Sequence, residues 1–231
     1  MILKKFEDLP QNMQNNEVKR YYDLLQKKKA NLILKRIFDI FFSIILLVLL
    51  LPILFILAIC IKIDSKGPIF FRQERITMYG KKFRIFKFRT MIQNADKNGG
   101  LITQKEDKRI TRIGKWIRKV RLDELPQLLN ILNGDMSFVG ARPEVNKYVN
   151  KYTEEMMATL LMPAGVTSIA SIKYKDEDEI IQKKVVEGKE IDEAYVEYVL
   201  PEKMKYNLKY VEDFSCIQDI KICIKTVIEV I

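Results

Sequence analysis

The chain has 231 residues, with 40 lysine and arginine residues against 30 aspartate and glutamate residues, and it has no histidine. The absence of histidine excludes Ser-His-Asp and Cys-His catalysis, imidazole metal sites and histidine general bases. Three cysteines without a C-x-x-C spacing are too few for a disulfide scaffold and favour a reducing, cytosol-facing environment. The net charge of +10 favours an acidic partner, namely nucleic acid, anionic lipid or a phosphorylated substrate.

Residues 1–34 form a polar N-terminal extension. A short helix is predicted over Glu17–Lys29, where Tyr21, Leu24 and Leu25 make a narrow apolar stripe. A helix of this kind is typical of a segment that lies at a membrane surface, so we interpret it as an interfacial helix.

The next segment, Ile37–Ile61, is an apolar run whose one charged residue is Asp39. At about 1.5 Å per residue, a helix of this length can cross a hydrocarbon core of roughly 30 Å. Pro52 lies past its middle and removes one helical hydrogen bond. Basic residues flank the run on both sides, which favours two cytoplasmic ends. A re-entrant helix bent at Pro52 and a kinked single-pass helix both agree with these residues.

Turn and strand signals follow the apolar run. Gly67-Pro68 marks a turn, and the aromatic segment Phe83–Phe88 predicts short strands around a second turn at Gly80. Residues 94–107 read as a polar loop that contains Gly99-Gly100. The fold class predicted from these elements and from the helical signals below is an α-rich α/β fold, mainly helical with a few short strands.

Arg109–Arg121 is the clearest amphipathic helix of the chain outside the apolar run. Isoleucine and valine recur at helical spacing, and basic residues with Trp116 occupy the other positions. A solvated basic face on a packed helix would give the same pattern. Because the helix is close to a membrane segment, we instead expect it at the headgroup level, with anionic membrane lipids as partners.

Asp123 and Glu124 are the candidate catalytic residues. Pro126 belongs in a first helical turn, so a helix is predicted from near Asp123 to Asn133-Gly134. Its N-terminus favours anions, although an aspartate there is often only a helix cap. Two carboxylates can hold Mg²⁺ while arginines bind phosphate oxygens, and a carboxylate can also act as a nucleophile. The arginines close in sequence are Arg112, Arg118, Arg121 and Arg142.

The C-terminal third is predicted to be rich in helices, with an acidic stretch over Asp176–Glu179 that opens one of them. Met162–Gly165 is predicted as a loop. The last segment, Cys216–Ile231, is largely apolar but short, so we expect it to be packed or interfacial rather than spanning.

In combination, these motifs resemble the bacterial sugar transferase family, the monotopic phosphoglycosyl transferases that begin polyprenol-linked glycan assembly. The resemblance is strong over about residues 34–144 and weaker beyond them. The motifs that carry it occur in the family's order and are LKRIFD, a proline within the apolar run, SKGPIFFRQER, FKFRTM, RITRIGKWIRKVRLDELPQL and NGDMSFVGARPE.

The resemblance implies a reaction and a role for each site residue. A UDP-sugar would give its sugar-1-phosphate to undecaprenyl phosphate and release UMP, through a covalent intermediate on Asp123. Glu124 would be the partner of Asp123 in handling Mg²⁺, the implied cofactor, or a proton. Arg118 falls on the family's phosphate-contacting arginine, and we add Arg112 as a second candidate phosphate ligand. Arg142 and Pro143 match a segment linked to the nucleotide.

The resemblance also favours the re-entrant form of the membrane helix. We therefore expect three parts: the extension over residues 1–34, a re-entrant helix over residues 35–62 bent at Pro52, and a small cytoplasmic catalytic domain over residues 63–231. Such a protein would lie on the cytoplasmic face of the bacterial inner membrane. Leu51 and Ala141 depart from the family's pattern, and the donor sugar is not assigned.

A non-catalytic membrane adaptor that recruits downstream glycosyltransferases is the alternative function. The intact Asp123-Glu124 pair, with Arg118 and Arg142 nearby in sequence, speaks against it. Nucleic-acid binding is suggested by net charge alone, and because no recognition fold accompanies that charge we expect no nucleic-acid partner.

Overall fold

The structure is a computed structural model, and it describes residues 1–93, 95, 107–174 and 177–230. This part of the chain is mostly helical with a few short strands, which confirms the predicted fold class. The predicted polar loop over residues 94–107 lies outside the described residues except at its positions 95 and 107, and Asp176 is outside them too. The α-helices within the described part are α1 (Asn16–Gln26), α2 (Lys29–Asp64), α3 (Arg112–Lys119), α4 (Leu128–Asn133), α5 (Asn146–Val149), α6 (Ile169–Lys173), α7 (Glu177–Val186), α8 (Ile191–Ala194), α9 (Leu200–Asp213) and α10 (Cys216–Val230).

The strands form two separate pairs. β1 (Phe70–Ile76) and β2 (Lys82–Phe88) make an antiparallel hairpin around a 3₁₀ turn that ends at Gly80, as predicted. β3 (Met136–Val139) and β4 (Ala164–Thr167) pair in parallel. The loop prediction for residues 162–165 was wrong in its second half, because the run Ala-Gly-Val-Thr has no alternation of apolar and polar residues that would indicate a strand.

Helix α1 is fixed at its start by Asn15, whose side-chain oxygen accepts a hydrogen bond from the backbone N–H of Val18 at 2.8 Å. Its apolar side chains, Tyr21 and Leu25 among them, are buried in the main hydrophobic core together with Phe214. This position differs from the interfacial one that we predicted, because the apolar face of α1 finds its partners in the chain's own C-terminal helices.

Helix α2 contains the apolar run and continues through Pro52 as one helix of 36 residues. One face of α2 packs on the rest of the protein along its whole length, and the opposite face is exposed and apolar. Because the contacting positions recur every three or four residues, they form a single stripe. The positions of this stripe are Leu32, Lys35, Asp39, Ser43, Leu46, Leu50, Leu54, Leu57 and Ile61.

Buried polar groups fix the first half of α2. The Lys35 ammonium lies 2.6 Å from the Asp219 carboxylate of α10, and the Tyr210 hydroxyl donates to the same carboxylate at 2.8 Å. Asp39 accepts a hydrogen bond from the backbone N–H of Phe138 in β3 at 3.1 Å. The single acidic residue of the apolar run therefore has partners inside the protein and does not meet hydrocarbon.

Arg89, just after β2, fixes the other end of α2. Its guanidinium donates to the backbone carbonyl oxygens of Ser65 at 2.6 Å and Lys66 at 3.0 Å. Gly67 follows with φ at +127°, and a Cβ at this position would lie 2.0 Å from Arg89 Nη1. Only glycine combines this backbone angle with this close approach. Both ends of the apolar helix are thus bound to the same body.

Helices α3 and α10 lie against α2 and are both amphipathic. Helix α3 is shorter than predicted, because Thr111 caps its start and Arg121 turns into the left-handed region soon after its end. Helix α10 buries Asp219 and Ile222 on one face. On its opposite face it exposes the apolar side chains of Ile217, Ile220, Ile224, Val227 and Ile228.

The buried ion pair of Lys35 and Asp219 generates a stability prediction. Lys35→Met removes the cation from a carboxylate whose side chain is 7% exposed, and we expect the free energy of unfolding to fall by about 3–5 kcal/mol. The measurement is denaturant unfolding in detergent micelles. Lys209→Met removes an exposed lysine that pairs with Asp213 and should leave the stability close to that of the wild type. Equal stabilities of the two variants would contradict the prediction.

Candidate active site

The Asp123-Glu124 pair lies in a tight turn. Arg121 adopts a left-handed conformation with φ at 53°, and the segment Leu122–Gln127 then forms a 3₁₀ helix that leads into α4. The predicted helix from Asp123 to Asn133 is therefore divided into a 3₁₀ and an α-helical part. Left-handed backbone at a residue other than glycine is uncommon and costs energy, and such strain concentrates at functional sites.

Two cations hold Glu124. Lys87 of β2 lies 2.8 Å from Glu124 Oε1, and Arg142, in the loop after β3, donates to the same oxygen at 2.6 Å and to Oε2 at 3.5 Å. Burial alone would raise the pKa of Glu124, but the charges of Arg142 and Lys87 outweigh it and hold this pKa well below its usual range. Glu124 is therefore an ionised, fully paired carboxylate at neutral pH.

Asp123 has a different environment although it is the adjacent residue. Its side chain is buried and lines a cavity on the other side of the pair. Burial raises the pKa of Asp123, Lys87 lowers it and the negative charge of Glu124 raises it, with a net upward shift. The two neighbouring carboxyl groups thus have pKa values that are shifted in opposite directions, which is typical of a catalytic pair.

The cavity next to Asp123 has a volume of about 520 Å³, and we call it the cationic cavity. Asp123 is its one acidic lining residue among those described. Arg109 is already paired with Asp107 at 2.6 Å, and Lys87 is paired with Glu124. The excess of positive charge fits a ligand with several phosphate oxygens. The cationic side chains that line this cavity are Arg72, Arg75, Lys87, Arg89, Arg109 and Arg118.

A second cavity, of about 470 Å³, opens on the Glu124 side of the pair. Its walls include Leu46 and Leu50 of α2. Among the described residues its charged lining consists of three cations and three carboxylates, so we call it the balanced cavity. These charged residues are Arg121, Arg142, Lys203, Glu124, Glu177 and Glu229.

The structure brings together most of the side chains predicted for the site. Asp123, Glu124, Arg118 and Arg142 all line one of the two cavities. Arg112 does not line either of them within the described residues and is exposed at the start of α3. The reason is geometric, because residues six apart on a helix lie about 120° apart around its axis. Arg112 therefore lies apart from Arg118, and its role as a phosphate ligand stays a prediction.

Pro143 is buried, and its carbonyl oxygen accepts a hydrogen bond from Arg75 Nη1 at 3.1 Å. Arg75 thereby fixes the loop that carries Arg142 against β1. The structure thus shows how the loop of Arg142 and Pro143 is positioned, through a residue of the SKGPIFFRQER motif that we had not assigned to the site.

Lys87 is the main functional residue that sequence reasoning missed. Along β2, Phe83, Ile85, Lys87 and Arg89 fall on alternate positions and hence on one face. The first two are buried core residues, so the cation at the third position sits where an apolar side chain is expected. A charged residue that continues the buried face of a strand was the signal in the sequence.

Comparison with known proteins identifies the family. The model of the bacterial sugar transferase family matches residues 30–231, so the chain belongs to this family. The chain is 42% identical over 135 residues to a putative undecaprenyl-phosphate N-acetylgalactosaminyl 1-phosphate transferase of Bacillus subtilis, which covers 58% of the chain and 75% of that relative.

Two other relatives match more of this chain but less of their own length. A UDP-N-acetylgalactosamine-undecaprenyl-phosphate N-acetylgalactosaminephosphotransferase of Aeromonas hydrophila is 35% identical over 84% of this chain and 43% of its own. A UDP-glucose:undecaprenyl-phosphate glucose-1-phosphate transferase of Klebsiella pneumoniae is 33% identical over 85% of this chain and 40% of its own. The chain therefore spans less than half the length of these two relatives.

The contact of Lys87 with the carboxyl pair generates a titration prediction. Lys87→Met removes a positive charge that favours the ionised form of Asp123, so the pKa of Asp123 should rise further. The measurement is a ¹³C NMR titration of aspartate-labelled protein in micelles, with the resonance assigned by its loss in Asp123→Asn. Lys82→Met removes an exposed lysine of the same strand, paired with Glu74, and should leave the titration unchanged. An unshifted or lowered pKa in Lys87→Met would refute the assignment.

Proposed function

We propose that this chain is a membrane-bound phosphoglycosyl transferase, which transfers a sugar-1-phosphate from a UDP-sugar to undecaprenyl phosphate and releases UMP. The observation that carries the proposal is Asp123, a buried carboxyl group that borders a strongly cationic cavity. Membership of the bacterial sugar transferase family supports it, and so do the donors and the acceptor after which the relatives are named.

Two displacements at one phosphorus atom account for the transfer. In the first, an Asp123 carboxylate oxygen bonds to the β-phosphorus, and the bond from that phosphorus to the bridging oxygen breaks, so UMP leaves with this oxygen. In the second, an oxygen of undecaprenyl phosphate bonds to the same phosphorus and the bond to Asp123 breaks. The carboxylate is regenerated, and the product is undecaprenyl diphosphate sugar.

The cationic cavity stabilises charge during both displacements. The positive charges of Arg118 and the other lining arginines stabilise the phosphate oxygens on which negative charge accumulates. Glu124 is ionised and engaged by Arg142 and Lys87, so we assign it the role of holding these cations beside Asp123. This differs from the metal-binding or proton-handling role predicted for Glu124, because both of its oxygens already face cations.

Mg²⁺ is the proposed cofactor. Within the described residues no three acidic or cysteine side chains cluster as a ready metal site. Mg²⁺ usually binds through one or two carboxylates together with substrate phosphates, so Asp123 and the donor's diphosphate fit it as a ligand set. When bound, the ion would supply further neutralisation of the diphosphate.

For the membrane, we propose that α2 enters and leaves on the cytoplasmic face of the bacterial inner membrane. The support is that one body holds both halves of α2, with polar contacts from Arg36 to the end of α4 and from Arg89 to Ser65. A crossing would carry this polar body into hydrocarbon, where unpaired polar groups are costly. The exposed apolar faces of α2 and α10, with Trp116 of α3, would then meet lipid, and basic side chains nearby would meet anionic headgroups.

The packing of α1 also changes the proposed division of the chain into domains. Because α1 is buried in the main core, we propose that α1 and the elements after α2 form one cytoplasmic body around α2. This replaces the predicted division into an N-terminal extension and a separate catalytic domain.

The nucleophile assignment generates an activity prediction. Asp123→Asn should reduce UMP release from UDP-sugars with undecaprenyl phosphate and Mg²⁺ by at least about 10³-fold, since an amide oxygen cannot replace the carboxylate as nucleophile. Asp213→Asn, at an exposed position of α9, should retain full activity.

Retained turnover in Asp123→Asn would remove the nucleophile role from this residue. A wild-type chain that turns over no UDP-sugar but binds downstream glycosyltransferases would instead establish the adaptor function.

The proposed membrane topology predicts that both flanks of α2 lie on the cytoplasmic side. Lys27→Cys and Lys66→Cys place single thiols at exposed positions on the two flanks of α2, in a background with Cys60, Cys216 and Cys223 replaced. An impermeant maleimide should label both variants equally in inside-out vesicles and neither in right-side-out vesicles. Labelling from opposite sides would restore the single-pass arrangement.

A further inference from the structure

The two cavities that flank the carboxyl pair differ in charge, and this difference separates the parts of the donor. The cationic cavity suits the diphosphate because its lining carries an excess of positive charge. The balanced cavity has as many carboxylates as cations among its lining residues, so it offers no net attraction to a phosphate. Its size of about 470 Å³ is typical of a site for a small molecule. A neutral, hydroxyl-rich group is the part of a UDP-sugar that fits such a site.

Two lining residues of the balanced cavity, Lys203 and Glu177, form an ion pair that the reaction scheme leaves unused. The Lys203 ammonium lies 2.8 Å from Glu177 Oε2, and the side chain of Lys203 is 8% exposed. Lys203 also donates to the Tyr195 hydroxyl at 3.3 Å, and Tyr195 donates in turn to Glu144 at 2.5 Å. Tyr195 thus fixes Lys203, while Glu177, with its side chain 36% exposed, remains accessible to a ligand in the cavity.

The Lys203–Glu177 ion pair can form the hydrogen bonds that a pyranose requires. An ammonium and a carboxylate side by side offer a donor and an acceptor, and sugar hydroxyl groups need both. Ser171 and Tyr174 line the same cavity, and Tyr174 adds an aromatic ring for the apolar face of a sugar. Leu46 and Leu50 also line this cavity and would suit a lipid chain, but the charges of Lys203 and Glu177 would not.

Asp123 and Glu124 lie at the border between the two cavities. Asp123 lines the cationic cavity, and Glu124, the next residue, lines the balanced cavity together with Arg142. A β-phosphate in reach of Asp123 is therefore at the border of the balanced cavity. The group attached to this phosphate is the sugar, so the sugar has space on the Glu124 side.

Overall similarity does not decide which sugar is used. The relatives named for N-acetylgalactosamine and for glucose are 35% and 33% identical over 84% and 85% of the chain. Since these values are nearly equal, overall identity does not distinguish between these two donors.

We propose that Lys203 and Glu177 bind the sugar of the donor in the balanced cavity and determine donor preference. This proposal rests on the proposed phosphoglycosyl transferase activity. A carboxylate or ammonium that is left without its sugar hydroxyl loses a charge-assisted hydrogen bond, and such losses are the strongest means of discrimination between similar substrates.

The test is a donor competition assay with the full chain in nanodiscs that contain undecaprenyl phosphate and Mg²⁺. UMP release is measured with UDP-glucose, UDP-galactose, UDP-N-acetylglucosamine and UDP-N-acetylgalactosamine. Glu177→Gln and Lys203→Gln should each change the ratio of kcat/KM between the best and the next donor by about 10-fold or more. The Kd for UDP, which lacks the sugar, and the KM for undecaprenyl phosphate should stay within about twofold of the wild type.

The controls lie on the same helix as Lys203. Glu202→Gln and Lys205→Gln alter an exposed ion pair of α9 and should leave the donor ratio unchanged. Thermal unfolding of every variant shows whether it is folded, and Glu177→Gln retains the shape of the side chain in case Lys203→Gln does not fold.

Three outcomes would overturn the inference. An unchanged donor ratio in folded Glu177→Gln would overturn it and leave the proposed activity intact. A raised KM for undecaprenyl phosphate at a constant donor ratio would assign the balanced cavity to the acceptor lipid instead. Absence of UMP release by the wild type with every donor would refute the activity itself, and the sugar site with it.

Discussion

The packing of one face of α2 on the rest of the protein is the contact around which the structure is arranged. The stripe from Leu32 to Ile61 takes part in three of the four hydrophobic clusters, and buried polar ties at Lys35 and Asp39 fix its first half. An apolar helix would slide along an apolar surface, but a buried ion pair has one position at which both charges are satisfied. These buried polar contacts of Lys35 and Asp39 therefore fix the position of α2 relative to the site.

The chain has a second constraint at the site itself, where two neighbouring carboxylates need different properties. Lys87 and Arg142 come from β2 and from the loop after β3, and both converge on Glu124. Asp123 lines the other cavity and has no such close ion pair with the described residues, so burial is the largest influence on its pKa. Carboxylates one residue apart in sequence thus acquire opposite pKa shifts, because the backbone turn directs them into different cavities.

Several elements of the fold could be predicted because local motifs and periodicity indicate them. The turn at Gly80, the apolar helix and the helical C-terminal third were predicted from motifs and periodicity. The motifs also named Arg118 and Arg142, whose charges act on Asp123 in the structure. The burial of α1, the strand β4 and the exposed position of Arg112 were not. Each of these depends on which surface a segment meets, and a periodic pattern reports an apolar face without naming its partner.

The sequence by itself determined that the chemistry has no imidazole, that one long helix is apolar enough for a membrane, and that a carboxyl pair lies among arginines. These properties depend on composition and on residues close together in the chain. Only the tertiary structure decided that Lys87 pairs with Glu124, that the carboxyl pair separates a cationic cavity from a balanced one, and that one body holds both ends of α2. These contacts join residues far apart in sequence, and their energies depend on burial, which no local pattern contains.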